Sequence, residues 1–190
     1  TTNATAFNGN IYDSLLEYHY LERPYKLIPA LATNVPRAES LADGRVAYEF
    51  ELRPDLLFQN DICFTLNGDE HHTRQVNASD VEFELMRIAD PANASPVIAA
   101  LSNIAGFRDF HDRLKALRET HPSITQLPAH EQYEAAGPIE GVEVIDDLHF
   151  PARTFQDSNL ADTLISGTIW RIRKYTNSYL YEIRSRAGRV

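Results

Sequence analysis

Asp43-Gly44-Arg45-Val46-Ala47-Tyr48-Glu49-Phe50-Glu51-Leu52-Arg53 is the stretch from which the rest of the chain can be read. Asp-Gly is a turn signal. After it Val46, Tyr48, Phe50 and Leu52 alternate with Ala47, Glu49 and Glu51. That two-residue period belongs to a strand with one buried face. Arg53-Pro54-Asp55 ends the strand, and Leu56 to Phe58 begins a second short one.

Upstream, Phe7, Ile11, Tyr12, Leu15 and Leu16 have helical spacing, which predicts a short helix over residues 6–17. Residues 18–36 carry Pro24, Pro29 and Pro36 and read as an extended connection. Downstream, residues 60–76 are polar and read as a loop. Asn77 then caps a helix, with Asp80 placed in the first turn, where a carboxylate suits the positive helix end. Val81, Leu85, Ile88 and Ala89 are its apolar stripe, and Asp90-Pro91 stops it. Ser95-Pro96 opens a second helix, with proline suited to the first turn. Phe107, Phe110, Leu114 and Leu117 mark a third. Residues 121–138 read as a long polar connection. Residues 141–150 read as a strand or tight hairpin, with Val142 and Val144 on one side and Asp146-Asp147 at the turn. In the tail, residues 169–173 and 179–183 read as two strands about Thr176-Asn177. The class is α+β with mixed strands.

The chain has 190 residues. This is one domain, or two small ones, and a chain of this size typically buries about 70% of its extended surface. Hydrophobic residues make up 43% and charged residues 24%, which argues against wholesale disorder or a fibre. No apolar run approaches the roughly 20 residues of a membrane helix. A net charge of −9 argues against nucleic acid as the main partner, since phosphate binding needs a basic face. One cysteine, Cys63, permits neither an internal disulfide nor a cysteine-only zinc site. Thr1 follows no basic-then-apolar leader, so the expectation is either a signal peptide already removed or a piece of something longer.

The charge is unevenly spread. Residues 1–150 hold 11 basic and 24 acidic side chains, whereas residues 151–190 hold 7 basic and 3 acidic. A reversal at one point marks a boundary or a change of origin.

Several clusters resemble chemistry. Asp69-Glu70-His71-His72 has metal-ligand residue types, but adjacent histidines on a strand face opposite ways and no third partner is set by spacing. A solvated loop accounts for it, and no metal site is assigned. Ser, His and Asp occur without a G-x-S-x-G or H-E-x-x-H frame. Asp146-Asp147 is better read as a turn than as an acid–base pair. Cys63 beside Phe64 has no basic neighbour and reads as an inert thiol. Arg171, Arg173 and Lys174 around Trp170 and Tyr175 imitate a nucleic-acid stripe, but a half-exposed strand gives the same pattern. Asn3, Asn77 and Asn93 begin glycosylation-like triplets, a pattern common by chance. No glycine-rich phosphate loop is present, and no cofactor is implied.

Five motifs in order resemble one family. They are Ile11-Tyr12-Asp13-Ser14-Leu15-Leu16-Glu17; Pro29-Ala30-Leu31-Ala32; Asp43-Gly44 with Tyr48-Glu49-Phe50-Glu51-Leu52-Arg53 and Leu57-Phe58; Asn77-Ala78-Ser79-Asp80-Val81 with Arg87 and Asp90-Pro91; and Gly141-Val142-Glu143-Val144-Ile145-Asp146-Asp147. Together they resemble the extracellular solute-binding proteins, family 5, the peptide- and nickel-type receptors of ABC importers.

The resemblance implies part of the first lobe of a two-lobed, periplasmic-binding-protein-like (type II) receptor. It implies a peptide or similar small solute as ligand, an inner-membrane permease as partner, a periplasmic location and no enzymatic activity. It covers roughly residues 5–150 and places Thr5, Phe7 and Asn8, ahead of the first helix, near the ligand. Amides and one aromatic ring suit a peptide backbone, although a core Phe7 and a capping Asn8 explain the same residues. After Phe150 the family pattern is expected to continue, whereas Pro151-Ala152-Arg153-Thr154 reads as a strand break. Residues 151–190 are therefore expected to be foreign to the family. Two other readings are a small metal-dependent hydrolase using His71 and His72, and a structural or interaction module with a basic tail.

Overall fold

The computed structural model describes residues 12–19, 21–61, 64, 73–155 and 172–173. In chain order the elements are β1 (Tyr12–Asp13), β2 (Leu16–Tyr18), β3 (Leu27–Pro29), β4 (Ala38–Ser40) and β5 (Val46–Glu51), then α1 (Ala78–Ala89), α2 (Ile98–Leu101), α3 (Phe107–Thr120) and α4 (Ala129–Ala136), then β6 (His149–Thr154) and β7 (Ile172–Arg173). Short 3-10 turns at Pro91–Asn93 and Pro122–Gln126 join the helices. The fold is α+β, as the sequence predicts.

The central sheet has the order β4-β5-β6, all antiparallel. β5 is the strand predicted from residues 43–53. Val46, Tyr48 and Phe50 are buried and Glu49 is exposed; Ala47, predicted to face outward, is buried as well, so the alternation divides core from solvent only from Tyr48 onward. The turn before it closes through Leu41 N–H to Arg45 O, 2.8 Å, with Gly44 at φ 83°. That left-handed value is one glycine adopts at little cost.

α1 begins as the sequence predicts. The Asn77 side chain accepts from the Asp80 amide, 3.1 Å, and Asp80 accepts from the Asn77 amide, 3.0 Å, a reciprocal capping box. Arg74 pairs with both Asp80 oxygens and lies 4.6 Å over the Phe58 ring. Asp90 ends the helix by accepting from the Ala92 amide, 2.8 Å. Ser95-Pro96 precedes only the one-turn helix α2. α3 buries Phe107, Phe110 and Leu114, as their spacing predicts. Leu56 to Phe58 meets residues 74–76 through Val76 N–H to Leu56 O and Phe58 N–H to Arg74 O, each 3.0 Å.

Three expectations are corrected. Over the described part of residues 6–17 the chain is extended: β1 and β2 flank Ser14-Leu15, and β2 pairs with β3. The carbonyls of Ser14 and Leu15 accept from the amides of Leu31, Ala30 and Ala32 at 3.0–3.1 Å, so they are not available to a helical ladder. Leu15 and Leu16 are both fully buried, a result of the bend between strands. Residues 121–138 contain α4, whose Tyr133 packs on Phe83 and Phe110 at ring distances of 5.5 and 5.8 Å. The helix was illegible because its buried face also includes His130 and Gln132.

The expected break at Pro151 is absent too, since β6 runs through it to Thr154. Pro151 lies opposite Glu49. Arg153 N–H donates away from β5, to Gly141 O, so the position two residues earlier faces the same way and needs no donor toward β5. The hairpin expected about Thr176-Asn177 lies outside the described residues except for β7, which pairs antiparallel with β1.

The core lies between the inner face of the central sheet and the helices. Phe50 and Phe150 stack across the β5–β6 pair at 5.2 Å with an interplanar angle of 9°. Leu52, Leu85, Leu101, Ile104, Leu114 and Ile139 fill the space behind them.

Candidate functional site

The outer face of the central sheet forms one wall of a cavity of about 790 Å³. This is within the size range of small-molecule sites, roughly 300–1,000 Å³. The strand period that buries Tyr48 and Phe50 turns Glu49 and Glu51 outward. Register places Pro151 beside Glu49 and His149 beside Glu51. Residues 34–37 and Glu39 supply a second wall, and the turn around Ile145 a third.

The lining is mixed in charge. Glu39, Glu49 and Glu51 face Arg37 and His149, with apolar surface from Val35, Pro36 and Ile145. Carboxylates accept from ammonium or guanidinium groups, and Arg37 offers a fork of donors to a carboxylate. Such a lining suits a small zwitterionic or extended polar molecule better than a purely apolar one.

The polar groups are positioned by local structure. Asp146 Oδ1 accepts from the backbone amides of Leu148 and His149 at 2.8 and 2.9 Å. Those bonds, led by the Leu148 amide and then the His149 ring, hold its carboxyl below the usual carboxylate value. His149 Nδ1 lies 2.8 Å from Asp146 Oδ1, and Nε2 lies 3.7 Å from Glu51 Oε1. The bond to Asp146 raises the imidazole above its ordinary value of 6.5, against some desolvation; Asp146, Glu51 and Glu49 add charge in the same direction. Glu51 also accepts from the Thr33 hydroxyl, 2.8 Å.

A second, shallower concavity of about 660 Å³ lies along the β2–β3 hairpin. Arg23 sits 4.2 Å over the Tyr25 ring there, and Tyr18 and Tyr25 are 5.5 Å apart.

Thr5, Phe7 and Asn8, and likewise Cys63 and the Asp69–His72 cluster, lie outside the described residues. Among the described residues no group of three or more His, Cys, Asp and Glu is arranged to hold a metal ion. Asp146-Asp147 forms a turn, as predicted, with Asp147 O accepting from the Ala78 amide that starts α1, 2.8 Å. The cavity itself was not anticipated. Its residues come from three separate segments, and the only local signal was the outward placement of Glu49 and Glu51.

No known family profile matches the chain, and no curated protein does. Solved structures do. The peptide-binding pheromone receptor PrgZ matches with a TM-score of 0.57 and 15% identity, over 92% of this chain and 27% of that one. The substrate-binding domain of an oligopeptide ABC transporter from Bacillus anthracis strain Ames matches at 0.53 and 20%, over 92% and 26%. A periplasmic oligopeptide-binding protein from Borrelia burgdorferi matches at 0.56 and 14%, over 91% and 27%. The chain therefore shares its fold with part of these receptors. More narrowly, it is the fold found in part of the oligopeptide-type receptors, the group that the five sequence motifs resemble. The chain spans about a quarter of the length of the structures it matches.

Proposed function

We propose that this chain is part of the substrate-binding component of an ABC importer that takes up peptides or similar small solutes. The observation that carries the reading is the agreement of motif order with fold. Five motifs stand in family order, and 92% of the chain superposes on proteins whose names record peptide reception. The reading makes the protein a binder and not an enzyme, located in the periplasm or otherwise outside the cytoplasm after removal of a signal peptide. Its partners are the solute and an inner-membrane permease. Among the described residues no helix is long and apolar enough to cross a membrane.

In this reading residues 1–150 belong to the solute-binding lobe, with Thr5, Phe7 and Asn8 facing the ligand, and residues 151–190 have another origin. The charge reversal supports that division; the strand does not, because β6 continues to Thr154, and neither does the 92% coverage, which leaves about 15 of the 190 residues outside the match. Capture works by lobe closure, in which contacts to both lobes favour the closed state. A chain with only part of one lobe makes only some of those contacts.

The test is to read the encoding gene through the Phe150 codon and past Val190, then to titrate the encoded protein with short peptides by calorimetry. The receptor pattern resuming beyond the tail, permease genes alongside, and peptide binding by the longer product are expected. A confirmed stop with no transporter genes nearby overturns the proposal. The 190-residue chain itself is expected to bind peptides weakly or not at all, and sub-micromolar binding contradicts the closure argument.

A further inference from the structure

We propose that Thr33, Glu51, His149 and Asp146 form a proton-operated side-chain clasp across the outer cavity, closed at the Glu51–His149 contact when the His149 ring is doubly protonated and open there when it is not, over walls that Thr33 N–H to Glu51 O, 2.8 Å, and Ile145 N–H to His149 O, 2.9 Å, already join. Each wall contributes one link. Thr33 leads into the wall of residues 34–37 and donates its hydroxyl to Glu51 Oε2, 2.8 Å; Asn34 Nδ2 donates to Thr33 Oγ1, 3.2 Å. Glu51 belongs to β5, and its other oxygen faces His149 Nε2 at 3.7 Å. His149 opens β6, and its Nδ1 reaches both oxygens of Asp146, at 2.8 and 2.9 Å, in the turn that forms the third wall.

The ring stands between two carboxylates, and this decides the chemistry. A neutral imidazole carries one N–H. If Nδ1 donates to Asp146, the Nε2 lone pair points toward Glu51 and repels it. A second proton converts that contact into an attraction and completes the line from Asn34 to Asp146. Glu49 on β5 also acts on the ring, and Glu39 on β4 and Arg37 line the same cavity. The acidic majority among them favours the charged ring, in keeping with its raised titration. The clasp is engaged below the His149 midpoint and released above it, and its engaged state also makes the cavity one charge less negative. This device does not depend on what solute the protein carries.

The experiment is an NMR pH titration of the full chain, following the His149 imidazole and the backbone amides of Thr33, Asn34 and residues 146–148. Both sets of amides are expected to shift with the His149 midpoint, and that midpoint is expected above 6.5. In Glu51→Gln, Thr33 and Asn34 are expected to stop following the ring while residues 146–148 continue, and the midpoint falls. Wild-type Thr33 and Asn34 amides that ignore the His149 titration overturn the clasp. So does a midpoint at or below 6.5, or a Thr33 response unchanged in Glu51→Gln. The wild-type titration decides by itself if the variant does not fold.

Discussion

The guanidinium of Arg118, in the last turn of α3, holds both carboxylate oxygens of Asp90, the residue that ends α1, from 28 positions away. Asp90 also accepts from the Tyr133 hydroxyl, 2.9 Å, and Arg118 Nε donates to Gln132 Oε1, 2.8 Å. Gln132 in turn donates to Leu127 O, 2.7 Å. One largely buried network therefore joins α1, α3 and α4.

Removing the cation strands a buried carboxylate. Arg118→Met is expected to destabilise the chain by about 3 kcal/mol in urea denaturation. Tyr133→Phe, which removes one hydrogen bond, costs about 1 kcal/mol. Burial pushes the Asp90 carboxyl up, but Arg118, the Ala92 amide and Tyr133 together outweigh it, so the net shift is downward. A lowered carboxyl contributes stability above its unfolded value, about 3.9, and loses it as pH falls through the folded value. The acid limb of the stability curve should therefore become shallower in Arg118→Met, whose deficit against wild type is largest above about pH 4 and shrinks as the pH falls. An unchanged acid limb contradicts this account.

Gly141 sits where three backbone segments meet. Its N–H donates to Ala105 O, 2.7 Å, its O accepts from Arg153 N–H, 2.7 Å, and Ala105 N–H donates to Arg153 O, 2.9 Å. A Cβ at this position would lie 2.6 Å from Arg153 O and 2.9 Å from Ala105 N and O, all backbone atoms. Gly141→Ala is therefore expected to cost about 2–3 kcal/mol by forcing β6 from residues 105 and 141. A melting temperature within a degree or so of wild type counts against that junction.

The Phe50–Phe150 stack is the aromatic centre of the β5–β6 pair, with both rings almost fully buried. Phe150→Ala is expected to lose about 3–5 kcal/mol, and Phe150→Leu clearly less, because it leaves a smaller cavity. Equal losses for the two variants would show that the stacked geometry, and not volume, dominates.

Among the described residues β4 pairs only with β5, and all three of its residues are exposed. Such an edge offers unpaired backbone groups to a second chain. Concentration-dependent self-association in sedimentation is expected. Leu41 N–H bonds back to Arg45 O, so the neighbouring amide, that of Ser40, points away from β5. Ser40→Pro is therefore expected to reduce association without unfolding the sheet. A sharply melting monomer at all concentrations contradicts this.

β5, its Asp43-Gly44 turn, the Asn77–Asp80 cap, α1 and α3 were legible because each is specified within a few residues of itself. Alternation divides Tyr48 and Phe50 from Glu49, a side chain three residues on completes a cap, and Phe107, Phe110 and Leu114 repeat at helical spacing. Two of the five motifs that carry the family resemblance lie in these elements, and together the elements give the α+β class.

The rest was decided by partners remote in the chain. Ser14 and Leu15 stand among apolar residues at helical spacing but give their carbonyls to residues 30–32. Pro151 reads locally as a break, yet its place opposite Glu49, with the nitrogen turned from β5, lets the strand pass through it. The cavity and its His149–Glu51 contact arise from the register of β6 on β5, with residues 34–37 folded alongside. Periodicity reports which face of a segment is apolar. Only the tertiary structure, by bringing distant hydrogen-bonding and charged groups within a few ångströms, settles what that face meets.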